Sequence, residues 1–113
     1  MHEYSIVQAL YDSVVAQAAA HHAVSVHRVH VRIGELSGVD PGLLDTAWRT
    51  FRVRTICDRA SMEVELVAAQ WACVSCGGGV PKGGILQCPA CGGRMRLAEG
   101  DEIVLSRIVM EVG

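Results

Sequence analysis

The chain has 113 residues and a mass of 12.1 kDa, which is room for one domain with a small appendage and excludes multi-domain machinery. Half of it is hydrophobic, which excludes a disordered tail or a fibre, and 10 Lys and Arg against 12 Asp and Glu leave a net charge of −2, so the whole molecule makes no electrostatic case for a polyanion. The apolar stretches are short and broken by charges, and no basic region precedes an apolar run at the start. That pattern predicts a cytoplasmic protein with no membrane span and no secretory signal.

From Ser5 to about Ala20, Ile6, Leu10 and Val14 recur every fourth residue among alanines, which predicts an amphipathic helix ending near His21 and His22. Val24 to Ile33 is β-branched and predicts a strand, with Val29, Val31 and Ile33 on one face and His30 and Arg32 on the other. Gly34-Glu35-Leu36-Ser37-Gly38 turns the chain. Asp40-Pro41 then supplies an N-cap and first helical position for a second helix with Leu43, Leu44, Ala47, Trp48 and Phe51 on its packing face. Met62, Val64 and Leu66 alternate with Glu63 and Glu65 in a second strand, and Glu102 to Met110 reads as a third.

Between the last two strands lies a different composition, from about Gln70 to Leu97, with seven of the 12 glycines and four of the five cysteines. Too short and polar for a core of its own, it needs another source of stability. The expected fold class is α+β, with two helices on a small three-stranded mixed sheet and an inserted zinc-ribbon module. The division is 1–69 and 98–113 for a discontinuous α+β domain and 70–97 for the zinc-binding domain.

Within the insert, Cys73-Val74-Ser75-Cys76 is followed by Cys88-Pro89-Ala90-Cys91-Gly92-Gly93. Two residues between thiols let a tight turn aim both sulfurs at one ion, and glycines after each pair free the backbone so that amides approach the thiolates. Two such knuckles complete a tetrahedral S₄ shell, which suits structural Zn(2+) and leaves no open position for water or substrate. A disulfide pair and an iron–sulfur centre are the competing readings. Nucleic-acid binding is poorly supported, because the module carries only Lys82, Arg94 and Arg96 as cations and Trp71 as a stacking ring.

At the start, Met1 precedes His2 and Glu3. Methionine is normally retained before a bulky second residue, so the amine of Met1 lies beside the His2 imidazole. Amine, His2 amide and ring nitrogen can close adjacent chelate rings in one plane, a nitrogen-rich geometry that favours Ni(II) or Cu(II) over zinc. By itself a histidine near a terminus is most often merely solvated.

Taken together, Met1-His2-Glu3, Gly34-Glu35-Leu36-Ser37-Gly38-Val39, the double C-x-x-C with Cys88-Pro89-Ala90-Cys91-Gly92, and a closing strand with Met110-Glu111 resemble the HypA/HybF family over essentially the whole chain. The family comprises nickel metallochaperones for [NiFe]-hydrogenase maturation. The resemblance implies that His2 is the key ligand for Ni(2+), helped by the Met1 amine and the backbone of Glu3, while Cys73, Cys76, Cys88 and Cys91 hold structural zinc. It also implies transfer with a HypB-type GTPase toward the hydrogenase large subunit, from an exposed and mobile terminal site. Tyr4 stands where the family commonly has Met, outside the implied ligand set.

Other residues read more simply. His21 and His22 are placed to meet free carbonyls at a helix end. His27 and His30, three apart in a strand, are expected on opposite faces unless a bulge intervenes. Glu63 and Glu65 read as a solvated strand face, Cys57 as a small hydrophobe, and Trp48 and Phe51 as core anchors. No phosphate-cradling glycine motif occurs, so nucleotide hydrolysis must come from a partner. The expectation is a nickel carrier rather than an enzyme, monomeric or weakly homodimeric. The alternative is a zinc-ribbon adaptor for protein or nucleic acid without a nickel role.

Overall fold

The computed structural model describes residues 2–79 and 87–113, with only the backbone at His2. The elements run α1 (His2–Ala20), β1 (Ala23–Gly34), α2 (Pro41–Phe51), β2 (Ser61–Val67), β3 (Gln70–Cys73), β4 (Met95–Glu99) and β5 (Ile103–Val112). They form two sheets, one of three strands in the order β2-β1-β5 and one of two strands, β3-β4. The expected two helices and three-stranded sheet, built from both sides of the insert, are therefore present.

Two compact units divide the chain: Met1–Arg32, Val39–Glu65 and Val104–Gly113 in one, Ile33–Gly38 and Leu66–Ile103 in the other. In the first unit, Val7, Leu10, Val14 and Ala18 form the buried stripe of α1, so Val7 rather than Ile6 leads it. The helix also begins three residues before Ser5, at His2. His21 Nδ1 donates to the Gln17 carbonyl at 2.9 Å, the predicted helix-end role, and His22 follows in the left-handed region at φ 54°.

Asp40 caps α2 as its sequence predicts, its carboxylate accepting from the Gly42 and Leu43 amides at 2.8 and 3.1 Å. The packing face is Leu44, Ala47 and Trp48, with Phe51 half-buried; Leu43 is 57% exposed, one position off the stripe. Trp48 is fully buried, and its indole N–H donates to the Ala60 carbonyl at 2.9 Å, where the Arg52 guanidinium also donates at 2.6 Å. Cys57 is buried nearby in sequence, and desolvation pushes its thiol up to about 11, as befits an inert hydrophobe.

Along β1 the buried residues are Val26, Val29, Val31 and Ile33. The step of three between Val26 and Val29 breaks the two-residue alternation and leaves the consecutive residues His27 and Arg28 both exposed. His27 meets Glu111 at 3.2 Å, His30 meets Glu63 at 3.3 Å and Arg32 meets Glu65 at 3.4 Å, so the Glu63 and Glu65 face is paired and solvated as expected. The His30–Glu63 and Arg32–Glu65 pairs advance together along β1 and β2, the sense of a parallel pair joined through α2, whereas His27 meets Glu111, Ser106 bonds the His30 carbonyl and Gly34 the Glu102 carbonyl, the opposed sense of β5. The sheet is mixed. On β2 Met62 is buried and Leu66 is 66% exposed.

In the second unit, β3 and β4 pair antiparallel, Cys73 opposite Met95 and Trp71 opposite Leu97. The turn after β1 belongs here. Glu35 N donates to the Val67 carbonyl at 2.8 Å, Leu36 N to the Gly100 carbonyl at 2.7 Å, and the Glu35 carboxylate accepts from the Ala69 amide at 2.8 Å. The turn thus bonds both chain segments that enter and leave the ribbon. Gly34 packs backbone to backbone on Gly100, where a Cβ would fall inside the Gly100 carbonyl; Gly100 itself sits at φ 112°, open only to glycine.

Candidate metal centre

The two knuckles are built alike. Cys73 N donates to the Gly78 carbonyl and Gly77 N back to the Cys73 carbonyl; Cys88 N donates to the Gly93 carbonyl and Gly92 N back to the Cys88 carbonyl, all between 2.7 and 3.0 Å. Each returns through a glycine in the left-handed region, Gly77 at φ 77° and Gly92 at φ 73°. The glycines after each thiol pair are therefore required by the turn. A bond from Val74 N to the Arg94 carbonyl at 2.9 Å fixes one knuckle to the strand that leaves the other.

This construction brings four sulfurs together. Cys73 and Cys91 lie 3.4 Å apart, Cys76 and Cys88 3.5 Å, Cys76 and Cys91 3.7 Å, and all four within 4.8 Å of one another. A tetrahedron of sulfurs ~2.3 Å from a zinc ion has edges of ~3.8 Å, so the cluster needs only small adjustments to close on one ion. No other three His, Cys, Asp or Glu side chains converge this closely among the described residues.

The electrostatics divide the thiols by position in the knuckle. Amides of Cys76 and Ser75 aim at Cys73 and hold it well below its usual value, at about 6; amides of Cys91 and Ala90 lower Cys88 in the same way. For Cys91 the Gly93 amide pulls down, but the neighbouring Cys73, Cys76 and Cys88 sulfurs outweigh it and push the thiol up to about 12. Cys76 is raised similarly: the Gly78 amide lowers it, and crowding by Cys88 and Cys73 prevails. Four thiols at this spacing cannot all ionise by themselves. A divalent cation removes that conflict, so the donor set fits Zn(2+), with Cys73 and Cys88 buried and Cys76 and Cys91 exposed.

At the other candidate site, Glu3 lies half-buried in the first turn of α1. Met1 and the His2 side chain are outside the described residues, as are residues 80–86 of the ribbon, Lys82 among them. No described helix is long and apolar enough to cross a membrane.

Fold and site define a small α+β protein whose inserted ribbon is fitted for a closed, structural metal. Known proteins of this build narrow the class. The family model described as hydrogenase/urease nickel incorporation, metallochaperone, hypA matches residues 1–110. Hydrogenase maturation factor HypA of Shewanella baltica (strain OS223) is 37% identical over 113 residues, covering 98% of this chain and 97% of that protein. The HypA of Aquifex aeolicus (strain VF5) is 36% identical over 114 residues, 99% of each. Among solved structures, the Ni metallochaperone HypA from Helicobacter pylori superposes with a TM-score of 0.76 at 26% identity over 98% of both chains. A second HypA solution structure gives 0.82 at 27% identity, covering 100% of this chain and 98% of the other. The chain belongs to the HypA family of nickel-incorporation metallochaperones.

Proposed function

We propose that this chain binds Ni(II) at its N-terminus, through the Met1 amine, the His2 imidazole and the backbone of Glu3, and delivers it during maturation of [NiFe]-hydrogenase. The observation that carries this reading is the family match over 1–110, which includes the terminal residues as well as the ribbon. Residues 1–69 and 98–113 serve nickel; 70–97 serve zinc, held by Cys73, Cys76, Cys88 and Cys91. The ribbon braces its own fold and performs no catalysis, since four thiolates leave zinc no open position.

Delivery runs with a HypB-type GTPase to the hydrogenase large subunit in the cytoplasm, and the carrier acts as a monomer or weak homodimer. GTP hydrolysis belongs to that partner, this chain having no phosphate-binding glycine motif. The adaptor alternative gives way to family membership.

The test is calorimetric titration of the untagged, zinc-loaded protein with Ni(II), repeated with His2→Ala and with two residues added before Met1. One nickel site per chain, lost in both variants, is expected. Parent-like binding in both refutes the terminal site.

A further inference from the structure

Helix α1 includes His2 and Glu3. In a helical first turn the N–H bonds run nearly parallel to the axis and have no intrahelical partner. A planar chelate instead needs successive backbone nitrogens to converge on one ion, and the positive end of the helix dipole opposes a cation there. Nickel capture at the terminus and a closed first turn are therefore competing states of the same residues.

An aromatic contact packs against this turn. Tyr4 meets Phe51 edge-on, with ring centroids 5.5 Å apart at 68°, and Phe51 in turn meets Tyr11 at 5.1 Å and 62°. Phe51 is the last residue of α2, and Tyr11 lies two turns further along α1, so the Tyr4 ring ties the start of one helix to the end of the other. Tyr4 is 45% exposed, so this contact opens without leaving a deep void. The contact is tertiary and reversible.

We propose that Tyr4, packed on Phe51, is a positioning residue that sets the nickel affinity of the terminus by holding the first turn of α1 in its helical, non-chelating form. The inference rests on the terminal nickel reading. The apparent dissociation constant is the intrinsic one divided by the fraction of open turns. An edge-on aromatic pair shifts such an equilibrium by roughly 2- to 10-fold, so its loss tightens nickel binding by about that factor.

The experiment titrates Ni(II) into untagged, zinc-loaded parent, Tyr4→Ala, Phe51→Leu, Tyr4→Phe and His2→Ala proteins by chelator competition, with far-UV circular dichroism alongside. Tyr4→Ala and Phe51→Leu are expected to bind roughly 5-fold more tightly, and Tyr4→Phe, which keeps the ring, to match the parent. Nickel loading of the parent costs helical signal worth about one turn, and Tyr4→Ala, already open, loses less. Unchanged or weaker affinity in Tyr4→Ala and Phe51→Leu, both folded by their near-UV spectra, overturns the proposal while His2→Ala still abolishes binding. Parent-like binding by His2→Ala instead brings down the terminal site itself, and the positioning role with it.

Discussion

Acidification should strip zinc from the ribbon with a steepness that the four thiols dictate. At pH 7 Cys73, drawn down to about 6 by the Cys76 and Ser75 amides, has already released its proton. Cys91, pushed up to about 12 once its neighbouring sulfurs outweigh the Gly93 amide, retains its proton, and Cys76 is likewise raised. At least two protons must therefore leave when zinc enters, and affinity falls at least roughly 100-fold for each pH unit lost, or more than ~10⁴-fold between pH 7 and pH 5. The sign is fixed: in the metal-bound state every thiolate is held far below its unfolded value, so the stabilisation is complete above that value and is lost as pH falls. Below about 6, Cys73 takes up a proton as well, and the slope steepens toward three protons per ion. Competition against a chromophoric chelator at half-unit pH steps measures that slope, with half-buried Trp71 reporting ribbon structure. A slope below one proton per ion would refute the thiolate cage.

Three substitutions test the frame. Asp40→Ala removes the acceptor for the Gly42 and Leu43 amides and should cost about 1 kcal/mol in urea unfolding, with Asp40→Ser recovering most of it. Trp48→Phe deletes one donor to the Ala60 carbonyl but leaves Arg52 bonded there, so the loss should be about 1–2 kcal/mol rather than the ~3–5 of Trp48→Ala. Equal losses in the two Trp48 variants would show that the indole packs less tightly than its full burial indicates. Gly34→Ala drives a Cβ into the Gly100 carbonyl, and a thermal midpoint matching the parent would contradict that approach; about 1–3 kcal/mol of destabilisation is expected.

The parts legible in the sequence are those whose chemistry is local. The cysteine spacing announces the sulfur cluster because two-residue gaps and following glycines are what a knuckle needs, and Gly77 and Gly92 indeed take left-handed turns. Asp40-Pro41 announces α2 because cap and first helical position are adjacent in sequence. The misreadings have tertiary causes. The first turn of α1 lacks the apolar period that marks the rest, and its Tyr4 packs on a ring forty-seven positions away, Phe51. Valines fill β1 so densely that either register reads as a strand, which hid the break in alternation between Val26 and Val29. Leu43 and Leu66 belong to plausible apolar stripes and yet are exposed, because a short helix and a short strand each present only part of a stripe to the core. The Gly34–Gly38 turn was legible as a turn, but its bonds to Val67, Ala69 and Gly100 span long sequence separations that no local pattern encodes.

A carrier that also needs a structural metal must keep the two ions from exchanging places. On the proposed reading, ligand chemistry does this without a gate. Four thiolates at tetrahedral spacing suit zinc, and the closed shell admits no fifth group to begin an exchange. Backbone nitrogens and one imidazole in a plane suit Ni(II), and zinc gains nothing from that plane because it has no d-electron preference for it. Retention and release then follow from folding. The cage is wound into the knuckle turns and the β3–β4 pairing, so losing zinc dismantles them, whereas releasing nickel restores the helical first turn of α1. Zinc loss therefore costs structure and nickel loss recovers it, which is the asymmetry a delivery protein requires.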